Sequence, residues 1–294
     1  MNAGFEYREQ IGPEAAGRTV LDHLAARHRH STLAVWRERI EAGEVSVGDS
    51  RAAPDTILRP GDWVAWRRPP WLEPPVPLAF AVLFRDAHLL AVAKPRGLPS
   101  IPNGGFLEHT LLHVVRARFP EATPLHRLGR GTSGVLLFAR TAVARRAVSA
   151  AWRTGRVVKV YRALVSGAPE RSAFTVDAAI GLVDHPRLGR LHAAAADGKA
   201  AVSHVRVLAV ADGNALVEVT IPTGRPHQIR IHMAAAGHPL VGDPLYVAGG
   251  GPAAHGALPG DPGYRLHAHR LRLPHPATGE MVDLECAPPS DLRN

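Results

Sequence analysis

The sequence predicts an α+β protein built as a small head and a larger body, and three observations carry that prediction. Between Ala79 and Cys286 lie eight apolar or alternating runs of five to nine residues. Only three helical patterns separate them, so most neighbouring runs are too close for crossovers and pair antiparallel. The segment Arg67–Pro77, RRPPWLEPPVP, holds five prolines in eleven residues and reads as a stiff linker. These features divide the chain into residues 1–66, a linker at 67–77 and a body at 78–294.

In the head, Val20, Leu21 and Leu24 sit at helical spacing within Thr19–Arg27. Ser31 or Thr32 is placed to cap a second helix that runs through Ile40. Gly43–Gly48 and Asp62–Trp66 alternate as the two strands of a hairpin. In the body the expected strands are Ala79–Phe84, Leu89–Ala93, Val135–Ala139, Val157–Val165, Ser203–Ala211, Ala215–Ile221, His267–Leu273 and Met281–Cys286. Helices are expected at Thr110–Phe119, Ala142–Thr154 and Pro226–Ala236, the last with Pro226 at its first position and Gly237 as its stop. Gly249–Gly263, rich in glycine and proline, reads as a loop.

The charge narrows the function classes. Lys and Arg number 35 against 26 Asp and Glu, a net charge of +9. That balance favours a polyanion such as RNA as partner. The acid-free stretch from Ala122 to Pro169 carries nine basic residues. Of these, Arg145, Arg146, Arg153 and Arg156 fall on or just after one predicted helix, as a phosphate-facing patch or as a solvated basic face. A single cysteine, Cys286, excludes an intrachain disulfide framework and a CxxC zinc site. The polar start MNAGFEYREQ is unlike a signal peptide, and runs such as Pro77–Phe84 are too short to span a bilayer. The expectation is a soluble, cytoplasmic monomer with no membrane association.

The segment Leu125–Gly134, LHRLGRGTSG, places Gly129, Gly131 and Gly134 in GxGxxG spacing. A dinucleotide fingerprint needs a helix afterwards and an acid about 20 residues on. Here an apolar β-type run follows, with no acid before Glu170. The GTSG around Ser133 is not the GxSxG elbow of a serine nucleophile. The pairs His227/His232 and His267/His269 lack the supporting carboxylates or thiolates of a metal site. No metal and no cofactor is expected.

The same segment resembles the HRLDxxTSG signature of the large-subunit (RluA-type) RNA pseudouridine synthases. Asp86–Gly97 resembles that family's strand and KPxG turn, Lys159–Ala163 its KxYxA strand, and Gly198–Ser203 its GKxAxT segment. Thr223–His232, TGRPHQIRIH, and Gly237–Tyr246, GHPLVGDPLY, follow in the family's order, and Leu266–Leu271 and His275–Glu280 complete the set. The resemblance covers about Leu78 to Leu292. It implies a bent, mostly antiparallel sheet with a central basic cleft and a cofactor-free isomerisation of uridine to pseudouridine in structured RNA, ribosomal or transfer. DNA is not an expected substrate. The head, by its order of elements, resembles the small S-four RNA-binding domain, with Arg18, Arg27, Arg37 and Arg39 as its basic side chains.

Site residues follow from the resemblance position by position. Arg127 matches the arginine that helps flip the base, Tyr161 the tyrosine that packs against it, and Arg225 the arginine that pairs with the catalytic carboxylate. Gly129 stands where the family has that aspartate, and Gly131 where an acid is common. Arg130 and Lys159 join the basic residues expected to meet RNA. A carboxylate suits a sugar centre that turns electron-poor as the base leaves, and the base must first leave its stack. With glycine at 129, Arg225 lacks its expected partner, and Asp243 is the nearest acid within a motif. The alternative reading is an RNA-binding pseudoenzyme that kept the cleft and lost the chemistry.

Overall fold

The computed structural model describes residues 1–28, 31–186, 189–253 and 256–293. The chain divides into two compact units, Met1–Glu73 and Pro74–Asn294. Among the described residues, no helix is long and apolar enough to cross a membrane.

The first unit contains β1 (Phe5–Gln10), α1 (Val20–Arg27), α2 (Leu33–Glu41), β2 (Val45–Val47), β3 (Ser50–Arg51) and β4 (Trp63–Arg68). Thr19 caps α1 by accepting from Asp22 N, and Thr32 caps α2 by accepting from Val35 N, which satisfies N–H groups that have no partner within the helix. Val20, Leu21 and Leu24 of α1 meet Trp36 and Ile40 of α2 over Val45, Val64 and Trp66. Each fully buried aliphatic chain there contributes about 1.5–3 kcal/mol over its exposed state.

The strands form one antiparallel sheet in the order β1-β4-β2-β3, larger than the expected hairpin. β1 has no apolar alternation to announce it. It forms because β4 has a free edge and because Tyr7, opposite Trp66, stacks on it at 5.1 Å. The expected boundary at residue 66 and the linker at 67–77 also differ from what forms. Arg67 and Arg68 complete β4 opposite Glu6 and Phe5. Asn2 then clamps the next turn: its N–H donates to Trp71 O, its Oδ1 accepts from Trp71 N, and its Nδ2 donates to Glu73 Oε1 at 2.7 Å. Proline fixes φ in this segment without preventing either contact.

The second unit runs β5 (Ala81–Arg85), β6 (Leu89–Lys94), α3 (Leu111–Arg118), β7 (Thr123–Pro124), β8 (Thr132–Ala139), α4 (Ala142–Arg153), β9 (Val158–Ser166), β10 (Ala173–Val176), β11 (Ile180–His185), β12 (Gly189–Ala194), β13 (Ser203–Ala211), β14 (Asn214–Thr220), α5 (Gln228–Ala235), β15 (Leu266–Pro274) and β16 (Met281–Glu285). Its main sheet follows the order β10-β13-β14-β9-β15-β8-β6-β5, with β16 on β15 and β7 on β8. Among the described strands all pairs are antiparallel except β15 with β8. The α+β expectation therefore holds. β8 is buried along its whole length. α4 lays Ala144, Val148 and Ala151 on one side of the sheet, over Leu89, Val135, Leu137 and Leu271; α3 lays Leu111 and Val115 against Leu90, Val92, Leu136 and Phe138.

Three strands between Val165 and Ser203 escape a sequence reading. Among the described strands β11 and β12 pair with each other and with no third strand, and their buried side chains Ile180, Leu191 and Ala193 pack on Ile231 and Ala234 of α5. Their partner is thus a distant helix, which no local pattern reports. The start of α5 is also corrected. Pro226 lies before the helix, and His227, at φ +56°, occupies the left-handed region between them. Gln228 causes this, because its Oε1 accepts from both Arg225 N and Thr223 Oγ1 and closes a turn where a first helical residue was expected. Gly237, at φ +85°, ends the helix as expected.

Candidate active site

The loop from His126 to Gly131, which precedes β8, is held from several sides. Ser100 Oγ donates to Leu128 O at 2.8 Å and accepts from Leu128 N at 3.1 Å. Gly97 N donates to Arg130 O at 2.8 Å. Lys94, 1% exposed, donates to the carbonyls of Pro95, Leu98 and Arg130. Burial alone lowers its ammonium pKa to about 7. The 94–100 turn is therefore a clamp on this loop. His126 is fixed as well, since its Nε2 accepts from Leu137 N at 3.0 Å. Burial, then the Lys159 cation, lower that imidazole to about 4, so it stays neutral.

The three glycines of the GxGxxG spacing are explained by protein neighbours. A Cβ on Gly129 would meet the Tyr264 hydroxyl at 2.5 Å, and one on Gly131 would meet Tyr264 Cε1 and Cζ at 2.9 Å. A Cβ on Gly134 would meet Ala268 O at 2.1 Å, because β8 and β15 approach closely there, and its φ of +113° also favours glycine. Gly129 and Gly131 are not in the left-handed region, so space rather than backbone conformation selects glycine at both. Tyr264 reaches them from a point 132 residues beyond Thr132, whose Oγ1 lies 3.3 Å from the phenol oxygen.

Tyr161 on β9 stands opposite Val219 of β14 and Ala268 of β15, and its ring packs against the clusters that contain Leu128 and Tyr264. Burial pushes its hydroxyl up to about 12, so it stays protonated. Two residues earlier, Lys159 donates to Thr223 O at 2.8 Å and ties β9 to the turn that carries Arg225. That turn is zipped to Val202 and Ser203 through Thr223 and Gln228. Arg225 Nε donates to Ala200 O at 3.0 Å, and among the described residues it has no carboxylate in ion-pair range. Arg127 is exposed. Burial, then the Arg230 cation, with smaller contributions from His192 and Arg127, bring His227 to about 4 against the pull of Asp243.

Asp243, the nearest acid in the motifs, is fully committed. Both its oxygens accept from Arg230 at 2.7 Å, its Oδ1 also accepts from Leu245 N and Tyr246 N, and its side chain is 1% exposed. It cannot swing to the site without stranding a buried guanidinium. The histidines are equally occupied. His227 Nδ1 donates to Tyr246 Oη, which donates on to His192 O. His232 donates to Ala178 O and accepts from Ser203; His269 donates to Cys286 O. His267 donates to the same carbonyl and accepts from Ser133, so that hydroxyl is spent inside the sheet.

The residues expected to meet RNA separate into two groups. Arg18 and Arg37 of the first unit and Arg145, Arg146, Arg153 and Arg156 of the second are all exposed, and among the described residues none of them pairs with a carboxylate. Arg145, Arg146 and Arg153 share about a quarter of the α4 surface, away from its buried stripe. Lys159 and Arg130 are corrected. Lys159 is buried on Thr223, and Arg130 is half-buried, donating to Gly260 O and facing Asp261 at 3.6 Å. In the first unit Arg27 is paired with Glu9 at 2.6 Å, and Arg39 lies over the rings of Trp36 and Trp66. Tyr264, Arg230 and Lys94 were not singled out from the sequence. The one available signal was the pair of glycines, which implies that a bulky neighbour sits there without naming it.

The family described as RNA pseudouridylate synthase matches residues 88–235 of the chain. An RNA pseudouridine synthase of Synechocystis sp. is 41% identical over 276 residues, 93% of this chain and 95% of that protein. RNA pseudouridine synthase 5 of Arabidopsis thaliana is 36% identical, over 94% of this chain and 90% of its own. The ribosomal large subunit pseudouridine synthase D of Pseudomonas aeruginosa is 34% identical, over 95% and 92%. Among solved structures, human RNA pseudouridylate synthase domain containing 1 superimposes with a TM-score of 0.57 at 27% identity, over 76% of this chain and 89% of that one. With this sheet, these motif segments converging on one loop, and relatives that match nearly end to end, the chain belongs to the RluA-type RNA pseudouridine synthases, isomerases that convert uridine to pseudouridine in RNA.

Proposed function

We propose that the chain isomerises a uridine of structured ribosomal or transfer RNA at a site formed by the 126–131 loop, Tyr161 and the 223–228 turn. One observation carries this reading: segments far apart in sequence meet at one loop. Lys94 clamps Arg130, Ser100 holds Leu128, Tyr161 packs on the cluster that contains Leu128, and Tyr264 lies against Gly129 and Gly131. In this reading Arg127 enters the stack as the base leaves, Tyr161 packs against the flipped base, and Arg225 faces the reacting nucleotide. Gly129 takes the place of the family's aspartate. The unit Met1–Glu73 serves as an S-four-like RNA-binding domain with Arg18 and Arg37 on its helical side. Arg145, Arg146, Arg153 and Arg156 contact phosphates, and the protein works as a cytoplasmic monomer. The relatives are named as synthases, which favours the isomerase over a pseudoenzyme.

The test is pseudouridine mapping in total RNA from cells with and without the protein, followed by addition of purified protein to the deficient RNA. The expected result is one or a few uridines that lose the modification without the protein and regain it on addition. Identical maps, with no conversion in vitro, overturn the reading.

A further inference from the structure

The exposed backbone of Gly129 lies directly over a phenol. Tyr264 is 2% exposed, and its hydroxyl is 2.5 Å from the point where a side chain at 129 would begin. A carboxylate oxygen of an aspartate stands about as far from its own Cβ, so the phenol oxygen lies at the reach that a carboxylate at 129 would have. The arrangement is built rather than incidental. The ring lies against both Gly129 and Gly131, its hydroxyl meets Thr132 Oγ1 at 3.3 Å, and the Arg230 guanidinium lies 4.2 Å from its centroid. These contacts hold the ring and its oxygen in place. No acid lies between Glu121 and Glu170, and Asp243 is held by Arg230. Among the described residues, Tyr264 is the polar side chain nearest the point where a side chain at 129 would begin.

We propose that Tyr264 is the nucleophile of this chain, its phenol taking the role that a carboxylate at 129 would have; this rests on the isomerase reading above. The phenol oxygen bonds to ribose C1′ as the bond from C1′ to uracil N1 breaks. The phenol proton passes to the departing base, which leaves as neutral uracil. After the base turns, C5 bonds to C1′ and the bond from C1′ to the tyrosine oxygen breaks. The C5 proton then returns to the phenolate. Every proton and electron pair is restored, and no co-reactant is consumed. Tyrosine serves as the nucleophile at a sugar carbon in sialidases, so the chemistry lies within reach of a phenol.

The deciding variant is Tyr264→Phe, which keeps the ring that fills the space under the glycines and removes one oxygen. The full-length chain and the variant are compared on total RNA from cells lacking the protein. The expected result is a loss in kcat of more than about a hundredfold with RNA affinity unchanged. Should the variant fail to fold, a second measurement decides. Wild-type reactions are quenched in denaturant and digested with nuclease and protease, and the peptide containing Tyr264 is weighed for a ribose-linked adduct. Tyr264→Phe with kcat within about threefold of wild type overturns the proposal while leaving the isomerase reading intact. So does an adduct on another residue, or none on Tyr264 when the variant is unfolded. A wild-type chain that forms no pseudouridine overturns the isomerase reading, and this proposal with it.

Discussion

At position 129 a single oxygen decides what is tolerated. Gly129→Ala sets a methyl carbon 2.5 Å from the Tyr264 hydroxyl, and such overpacking costs about 1–3 kcal/mol. In a Tyr264→Phe background the next contacts are Thr132 Oγ1 at 3.6 Å and ring Cζ at 3.8 Å, ordinary van der Waals distances. The same methyl then costs less than about 0.5 kcal/mol. Urea denaturation of the four proteins in this cycle is expected to give a coupling of about 1 kcal/mol or more; additive effects would mean that the hydroxyl is not where it stands here. Gly129→Asp meets the same obstacle, so restoring the family's acid requires Tyr264→Phe as well. A second residue-scale expectation concerns Asp243→Asn. Arg230 and Asp243 are 3% and 1% exposed, and removing one charge strands the other. The expected loss is about 3–5 kcal/mol of stability, read by the same denaturation.

At the scale of elements, β8 and the loop before it hold an imidazole that must stay neutral. Leu137 N donates to His126 Nε2, so a proton there would set two donors face to face. His126 and His227 both fall to about 4 in the folded chain against an ordinary 6.5. Their folded values are depressed, so the stability they contribute is present above about pH 6.5 and is lost as pH falls through about 4. Each adds up to about 1.4 kcal/mol per pH unit to the slope in that window. His126→Gln keeps an acceptor for Leu137 N and cannot be protonated. Thermal denaturation from pH 7 to 4 is expected to show a shallower decline for this variant than for wild type; an unchanged profile would assign the acid sensitivity elsewhere.

At the scale of the whole molecule, the net charge of +9 and the exposed arginines of α4 lead to the proposal that binding rests on phosphate neutralisation. Each phosphate contact on a duplex contributes about 0.9 to the slope of log affinity against log salt. Replacing Arg145, Arg146 and Arg153 together with alanine is expected to reduce that slope by about 2–3 units, measured by titration of folded RNA at several salt concentrations. An unchanged slope would make α4 a merely solvated basic face. A chain starting at Pro74 has its own sheet and clusters and is expected to fold. It should bind RNA more weakly than the full chain if the first unit supplies affinity; equal affinity would end the S-four-like reading.

By itself the sequence determined the α+β class, the eight main strands of the body, three of its helices, the two helices of the head, and the family. Those features rest on period, capping residues and ordered motifs, all of which act over a few residues: Thr32 caps α2 and Gly237 stops α5 because the backbone next to them requires it. The motif residues were legible in the same way. Tertiary structure alone decided where their side chains go. Lys159 and Arg130 read as basic surface but hold Thr223 and Gly260. β1 and β11 form because a free strand edge and a distant helix need partners. Above all, Gly129 reads as a missing carboxylate, and only the folded chain brings Tyr264 beneath it from more than 130 residues away. Local pattern cannot carry that information, because whether a glycine leaves empty space or makes room for another side chain depends on what packs against it.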